Sequence, residues 1–175
     1  MNSLARRLVR EARIDLWAAT IGVLVNTVLG SNVVPRPIRW LGYRAFGTKI
    51  DTPNIFPGAK LLGPMRHISI AAGTFANREL YLEAVAPIAI GRDCQLGPQV
   101  MIVTSHHDRT ADGVSKVPRA RPVTIGDRAW IGARAMILPG VTVGDDVVIG
   151  AGSVVTRDCL EPGVYVGSPA RKVGP

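Results

Sequence analysis

Residues 125–155 read Ile125-Gly126-Asp127-Arg128-Ala129-Trp130-Ile131-Gly132-Ala133-Arg134-Ala135-Met136-Ile137-Leu138-Pro139-Gly140-Val141-Thr142-Val143-Gly144-Asp145-Asp146-Val147-Val148-Ile149-Gly150-Ala151-Gly152-Ser153-Val154-Val155. An aliphatic residue returns every six positions, at Ile125, Ile131, Ile137, Val143, Ile149 and Val155. Gly follows it at Gly126, Gly132, Gly144 and Gly150. A small or short branched residue stands four places on, at Ala129, Ala135, Val141, Val147 and Ser153. A helix repeats every 3.6 residues and a strand every two, so neither produces this pattern. A fixed period of six is the mark of a hexapeptide β-helix.

Each unit is a short strand plus a bend, and three units bring the chain round once. Ile125 is therefore expected over Val143, Ile131 over Ile149, and Ile137 over Val155. The aliphatic residue points inward. The small residue four places on does too, because the bore is narrow. The Gly after the aliphatic residue is expected to let the backbone turn without a Cβ clash. Leu138-Pro139-Gly140 replaces one such corner with a Pro-Gly turn. No coil is stable alone, since only stacking buries its core.

Going backwards, Ile90-Gly91, Leu96-Gly97 and Ile102 keep the style, with Cys94 and Val100 at the small positions. From Ile102 to Ile125 is not a multiple of six, so residues 103–122 are predicted to leave the coil as a loop. Before Ile90 two phases compete: Ile70, Ala76 and Leu82, or Ile50, Phe56, Leu62 and Ile68. Residues 50–89 read as coil of open register.

The chain has 175 residues, 47% hydrophobic but only 5% aromatic. That suits one domain with a thin bore filled by Ile, Val and Ala. The net charge of +8 calls for a polyanionic partner, such as an anionic membrane or a phosphate-bearing co-substrate. The basic residues are scattered and no nucleic-acid motif is present, so no nucleic-acid partner is expected. Cys94 and Cys159 make no disulfide framework, and Cys94 reads as a packing residue.

Residues 1–47 differ and read as a helical leader to a β-helix domain at 48–175, which ends in a short tail. Leu4, Leu8, Ala12 and Leu16 recur at helical spacing among Arg6, Arg7, Arg10 and Arg13. The apolar run from Leu16 to Leu29 is short for a membrane span and is interrupted by Asn26. No good signal-peptide cleavage site follows it. The leader is expected to pack on the solenoid or a neighbouring subunit, or to lie on a membrane surface through residues 1–30. Pro35 and Pro37 are expected to end its first helix, and a second short helix follows.

Pro122-Val123-Thr124-Ile125-Gly126-Asp127 opens a tract through Trp130-Ile131-Gly132 and Ile149-Gly150-Ala151-Gly152-Ser153, closing on Gly167-Ser168-Pro169-Ala170-Arg171. This resembles the hexapeptide-repeat acyltransferases, in their maltose, galactoside and colanic-acid O-acetyltransferase branch. The likeness is strong over about 88–173 and weaker over 48–87. It implies an all-β, left-handed parallel β-helix, a homotrimer with active sites between subunits, and a cytoplasmic enzyme, with the inner membrane surface open to it. It implies acetyl-CoA, or another acyl-CoA, as co-substrate and no metal.

In the family, a His at the start of the protruding loop takes the proton of the acceptor hydroxyl. Imidazole titrates near neutrality and suits that task. The loop opens Thr104-Ser105-His106-His107-Asp108. Family members place the His ten residues after the small residue of a small-Pro pair, with Thr three before it. Gly97-Pro98 and Thr104 then select His107, with His106 the runner-up. By the same resemblance Asn77 touches the acceptor and Trp130 lines its side. Glu83 is an acceptor candidate displaced by two residues from the family carboxylate. Ala133, Ala151, Thr156, Arg157 and Arg171 match cofactor-binding positions. Relatives often have Ser where Ala133 stands. Arginines suit CoA phosphates because guanidinium–phosphate pairs can be bidentate.

The leading expectation is O-acylation of a sugar, glycan precursor or similar natural product by direct transfer in a ternary complex. An N-acetyltransferase on an amino sugar would need the same base and stays open beside it. A non-catalytic partner subunit and a γ-type carbonic anhydrase are weaker rivals. The latter needs three metal-binding His, and His67, His106 and His107 lie at no coil-repeat distance.

Overall fold

The computed structural model describes residues 12, 16 and 19–174. Most of the basic leader, with Arg6, Arg7, Arg10 and Arg13, lies outside them.

Three parallel sheets wind into a triangular coil. Sheet A stacks Lys49–Ile50, Ile68–Ile70, Ile88–Ile90, Val123–Ile125 and Thr142–Val143. Sheet B stacks Phe75–Ala76, Gln95–Leu96, Trp130–Ile131, Val147–Ile149 and Gly163–Gly167, and the antiparallel strand Ala170–Gly174 closes it. Sheet C stacks Lys60–Leu62, Tyr81–Glu83, Met101–Val103, Met136–Ile137 and Val154–Val155. The chain visits A, B and C in turn. The coil is left-handed, against the right-handed rule for ordinary parallel crossovers.

Register follows the hexapeptide spacing. Ile125 lies level with Val143, Ile131 with Ile149, and Ile137 with Val155. These inward columns are almost fully buried. Removing each Ile, Val or Leu side chain from water contributes about 1.5–3 kcal/mol. Over 50–89 the rungs are longer: Ile50, Ile70 and Ile90 share one column at twenty-residue steps. Of the two competing phases, Ile70, Ala76 and Leu82 is the inward one. Ile55 and Leu61 are buried where the other phase put Phe56 and Leu62.

The corners work differently from the sequence expectation. The Gly after each aliphatic residue does not adopt positive φ. That conformation falls two residues later, at Asp93, Gln99, Arg128, Arg134 and Asp146, with φ between 55° and 60°. Gly140 and Gly152 take the same place in their units. The earlier glycines are small for another reason: the next coil passes directly over them. A Cβ on Gly97 would sit 2.6 Å from the Ala133 nitrogen, and one on Gly132 would sit 2.5 Å from the Ala151 nitrogen.

The segment after Val103 leaves the coil as expected, but it is not structureless. Ser105–His106 pairs antiparallel with Arg119–Ala120, and beyond it Arg109–Thr110 pairs with Gly113–Val114. It is a two-stage β-arm with exposed Val114 and Val117 towards its tip.

Helical residues from Ala19 run into wider π-turns at Leu24–Leu29 and stop at Gly30, ahead of the prolines. Pro35 instead caps the start of α1, Arg36–Ala45, where Pro37 also sits. Asn26 does more than interrupt an apolar run. Its amide donates to the Leu61 carbonyl at 3.0 Å and accepts from the Leu61 N–H at 2.7 Å, satisfying the open edge of the first sheet C strand. Arg39 is 1% exposed and binds four backbone carbonyls, of Leu29, Ser31, Val34 and Ile55. Trp40 Nε1 donates to the Ile50 carbonyl at 2.7 Å. Among the described residues no helix is long and apolar enough to cross a membrane.

Candidate active site

A groove of about 500 Å³ runs along sheet B and its corner with sheet C. Its walls include Phe75, Asn77, Pro98, Trp130, Ala133 and Ala151. The coil period explains the composition. Phe75, Gln95, Trp130 and Val148 are the outward residues of successive sheet B strands and form one column. The floor beside them is Gly and Ala, because the coils stack too closely there for larger side chains. Trp130 is 57% exposed on this wall. Asn77 is half-buried, and its Oδ1 accepts the Arg78 N–H at 2.8 Å. It is not the positive-φ residue of its corner; Glu79 is, at 62°.

The structure thus gathers Asn77, Trp130, Ala133 and Ala151 in one groove. Thr156, Arg157 and Arg171 are exposed and do not line it. Thr156 and Arg157 follow the last sheet C strand, and Arg171 lies on the closing strand of sheet B, where it donates to the Ala170 carbonyl.

Glu83 does not line this groove. It ends a sheet C strand, and its carboxylate is taken up by the root of the arm. Oε2 accepts the N–H of Thr104 at 3.1 Å and of Ser105 at 3.2 Å, and Oε1 accepts the Ser105 hydroxyl at 2.7 Å. Buried Thr104 adds its own hydroxyl to the Glu83 carbonyl at 2.8 Å. The Thr104 N–H also reaches that carbonyl, at 3.2 Å, and together these contacts fix where the arm leaves the coil.

The two His of the arm have different surroundings. His107 is exposed, and its Nδ1 lies 2.7 Å from the Ser115 carbonyl. A carbonyl only accepts, so Nδ1 carries the proton, and in the neutral ring Nε2 keeps its lone pair. His106 is half-buried, with Nε2 3.4 Å from Asp108 and a buried Nδ1 that has no partner among the described residues. Asp108 is held in turn by Arg119 at 2.7 Å from the opposite strand. His107 thus presents a free basic nitrogen, whereas His106 is built into the arm. The Ser115 contact had no signal in the sequence, because a backbone carbonyl is common to every residue type.

His67, the third histidine, meets the Ala84 carbonyl at 3.1 Å. Among the described residues no three His, Cys, Asp or Glu side chains gather as metal ligands. Cys94 and Cys159 are buried, and burial pushes both thiols up from their ordinary pKa.

In one chain the arm and the groove lie apart. The arm leaves at the corner between sheets C and A, which is opposite sheet B in a triangular coil. No arm residue lines the groove.

Residues 122–157 match the family described as hexapeptide repeat of succinyl-transferase. Nodulation protein L of Rhizobium meliloti (strain 1021) is 45% identical over 125 residues, 67% of this chain and 68% of that protein. Three other curated relatives are matched over about half of their length, at 48%, 55% and 53%. Among solved structures, the maltose O-acetyltransferase from Clostridium difficile 630 superposes with a TM-score of 0.72 at 31% identity, covering 90% of this chain and 83% of that one. A galactoside acetyltransferase in complex with coenzyme A superposes with a TM-score of 0.76 at 27% identity, covering 90% and 78%.

Proposed function

The chain belongs to the hexapeptide-repeat acetyltransferases, and on that premise we propose that it moves an acetyl group from acetyl-CoA to a hydroxyl of a sugar or glycan precursor. The observation that carries this reading is the orientation of His107, with Nδ1 on the Ser115 carbonyl and Nε2 free. Nε2 accepts the proton of the acceptor hydroxyl as its oxygen attacks the thioester carbonyl carbon. The C–S bond then breaks, and the departing CoA thiolate takes that proton back from His107. No net proton is gained or lost by the enzyme. A positioned base of this kind contributes about 10²–10⁴-fold.

Asn77 keeps its amide N–H groups for an acceptor oxygen, since only its Oδ1 is engaged. Trp130 offers a flat apolar face for a sugar ring. The small floor at Ala133 and Ala151 suits the narrow pantetheine arm of CoA. Thr156, Arg157 and Arg171 are exposed and suit its phosphates. The CoA complex of the galactoside relative supports the co-substrate. The O-acetyltransferase relative supports a hydroxyl over an amine.

The arm leaves the coil at the corner opposite sheet B and lines no part of the groove, which supports a site that a second copy completes with its arm. A closed three-fold ring of chains does this with every arm used once.

Thiol release from acetyl-CoA against a panel of sugars and hydroxylated natural products tests the reading, with wild type, His107→Ala and His106→Ala in parallel. Loss of about 10²-fold or more in His107→Ala, with His106→Ala far less affected, is expected. Full activity in His107→Ala, or in a monomeric species, refutes the base or the shared site.

A further inference from the structure

Beyond Phe75, towards the leader, the surface next to the groove carries three arginines that line no part of it and that the acyl-transfer reading does not use. The aromatic column continues below Phe75: its ring lies 5.0 Å from that of Phe56, tilted by 56°. The Arg36 guanidinium sits over Phe56 at 5.2 Å and donates to Asn54 Oδ1 at 3.2 Å. Arg78 follows Asn77 of the groove and donates to Asn32 Oδ1 at 2.7 Å. Both arginines are exposed at their surface, and Arg39 lies buried beneath. Burial is the main cause that lowers the Arg39 pKa; the field of Tyr43 opposes it, and the weaker fields of Arg36 and Arg78 each add to the lowering.

Among the described residues none of the three meets a carboxylate. Arg44, Arg119 and Arg128 each do, with Asp51, Asp108 and Asp146. Arg36 and Arg78 are instead held by neutral amides. An amide orients a guanidinium without cancelling its charge, and each fork keeps donors to spare. Like charges crowded together without a counterion destabilise the fold, so the arrangement costs stability unless an anion joins it. Phe75 belongs to both the groove and the stacked pair, so the arginines and the acceptor wall are continuous.

We propose that the surface continuing the groove beyond Phe75 is a subsite for an anionic group on the acceptor, a carboxylate or phosphate, with Arg36 and Arg78 as its partners and the Phe56–Phe75 pair as its apolar wall. Guanidinium forks match the planar geometry of carboxylate and the tripod of phosphate. The inference rests on the acyl-transfer reading for its acceptor. It narrows that acceptor from sugars in general to acidic or phosphorylated ones.

The test compares matched acceptors: glucose, glucuronate and glucose 6-phosphate. Initial rates give the ratio of kcat/KM for each anionic sugar over glucose, in wild type, Arg36→Gln, Arg78→Gln and the double variant. A wild-type ratio of at least tenfold that falls towards one in the double variant is expected. The glucuronate and glucose 6-phosphate arms separate carboxylate from phosphate. Unfolding midpoints confirm that the variants fold. A wild-type ratio near one, or a preference that survives the double variant, overturns the subsite while leaving acyl transfer standing. A rise in the KM for acetyl-CoA with no change in the ratio assigns the arginines to the co-substrate and also overturns it. If no sugar is acetylated, calorimetric titration of glucuronate and glucose 6-phosphate decides. Binding that the double variant loses keeps the subsite and sinks the reaction, and binding that is absent or insensitive sinks the subsite.

Discussion

Arg39 Nη1 donates to the carbonyl oxygen of Ile55 at 2.9 Å, across the boundary between α1 and the first coil. Nε and Nη2 take the carbonyls of Leu29, Ser31 and Val34. One planar group thus gathers the end of the first helix, the turn after it, and the coil. Lysine has the charge but not the fork, and methionine has neither. Arg39→Lys and Arg39→Met should each cost about 3 kcal/mol or more, because several carbonyls lose their donor in a water-free place. Urea unfolding checks this; a change under about 1 kcal/mol contradicts it.

Tyr43, one turn further along α1, is fully buried, and its hydroxyl has no partner among the described residues. Burial pushes its pKa up to about 12, against a smaller downward pull from Arg39. The folded state therefore holds the phenol proton more tightly than the unfolded chain. That contribution is intact below pH 10 and is lost as pH rises towards 12, amounting to about 2–3 kcal/mol. Tyr43→Phe should remove this part of the alkaline slope. At neutral pH it should raise stability by about 1 kcal/mol, since an orphaned hydroxyl is deleted. Unfolding of both proteins from pH 8 to 12 reads both effects.

Much of this was legible in advance, and the reasons are physical. A stack of identical rungs forces a period, so Ile125 over Val143 could be read directly, and so could the break after Ile102. The longer early rungs could not, because Ile50, Phe56, Leu62 and Ile68 mimic the period while Ile55 and Leu61 point inward. The role of Gly132 was misread because a residue pattern shows that a Cβ is excluded without showing what excludes it. Ala133 and Ala151 lie together because they stand one coil apart, whereas Asn77 and Trp130 were placed with them by the family resemblance alone. Ser115 and Arg39 act through backbone carbonyls, which no side-chain pattern encodes. Asp108 and Arg119 meet only because the arm folds into a ladder.

The two kinds of corner glycine should respond differently to alanine. At Gly132 the new Cβ would lie 2.5 Å from the Ala151 nitrogen of the next coil, and backbone cannot move aside. The coils must separate, at a cost of about 2–3 kcal/mol. Gly152 has open space around it but φ of +68°, so its alanine pays only backbone strain, about 1 kcal/mol. Denaturation of the two variants should rank Gly132→Ala well below Gly152→Ala. The reverse order would show that positive φ, not coil spacing, sets the glycine requirement.

Glu83 should act on turnover without touching substrate. Its carboxylate fixes Thr104 and Ser105, and His107 is two residues beyond Ser105. Glu83→Ala takes the carboxylate from the Ser105 N–H and hydroxyl and leaves the Thr104 N–H only the Glu83 backbone carbonyl, which loosens the root of the arm. His107 then spends less time where its Nε2 meets an acceptor, so kcat should fall about tenfold or more, as small misplacements of a catalytic group do. The KM for acetyl-CoA should stay within about twofold, because Glu83 lines no part of the groove proposed for the co-substrate. Glu83→Gln retains one carbonyl acceptor and should recover much of the loss. Steady-state kinetics of the three proteins decide. A KM effect on the acceptor with kcat intact would return Glu83 to the acceptor side and remove the positioning role.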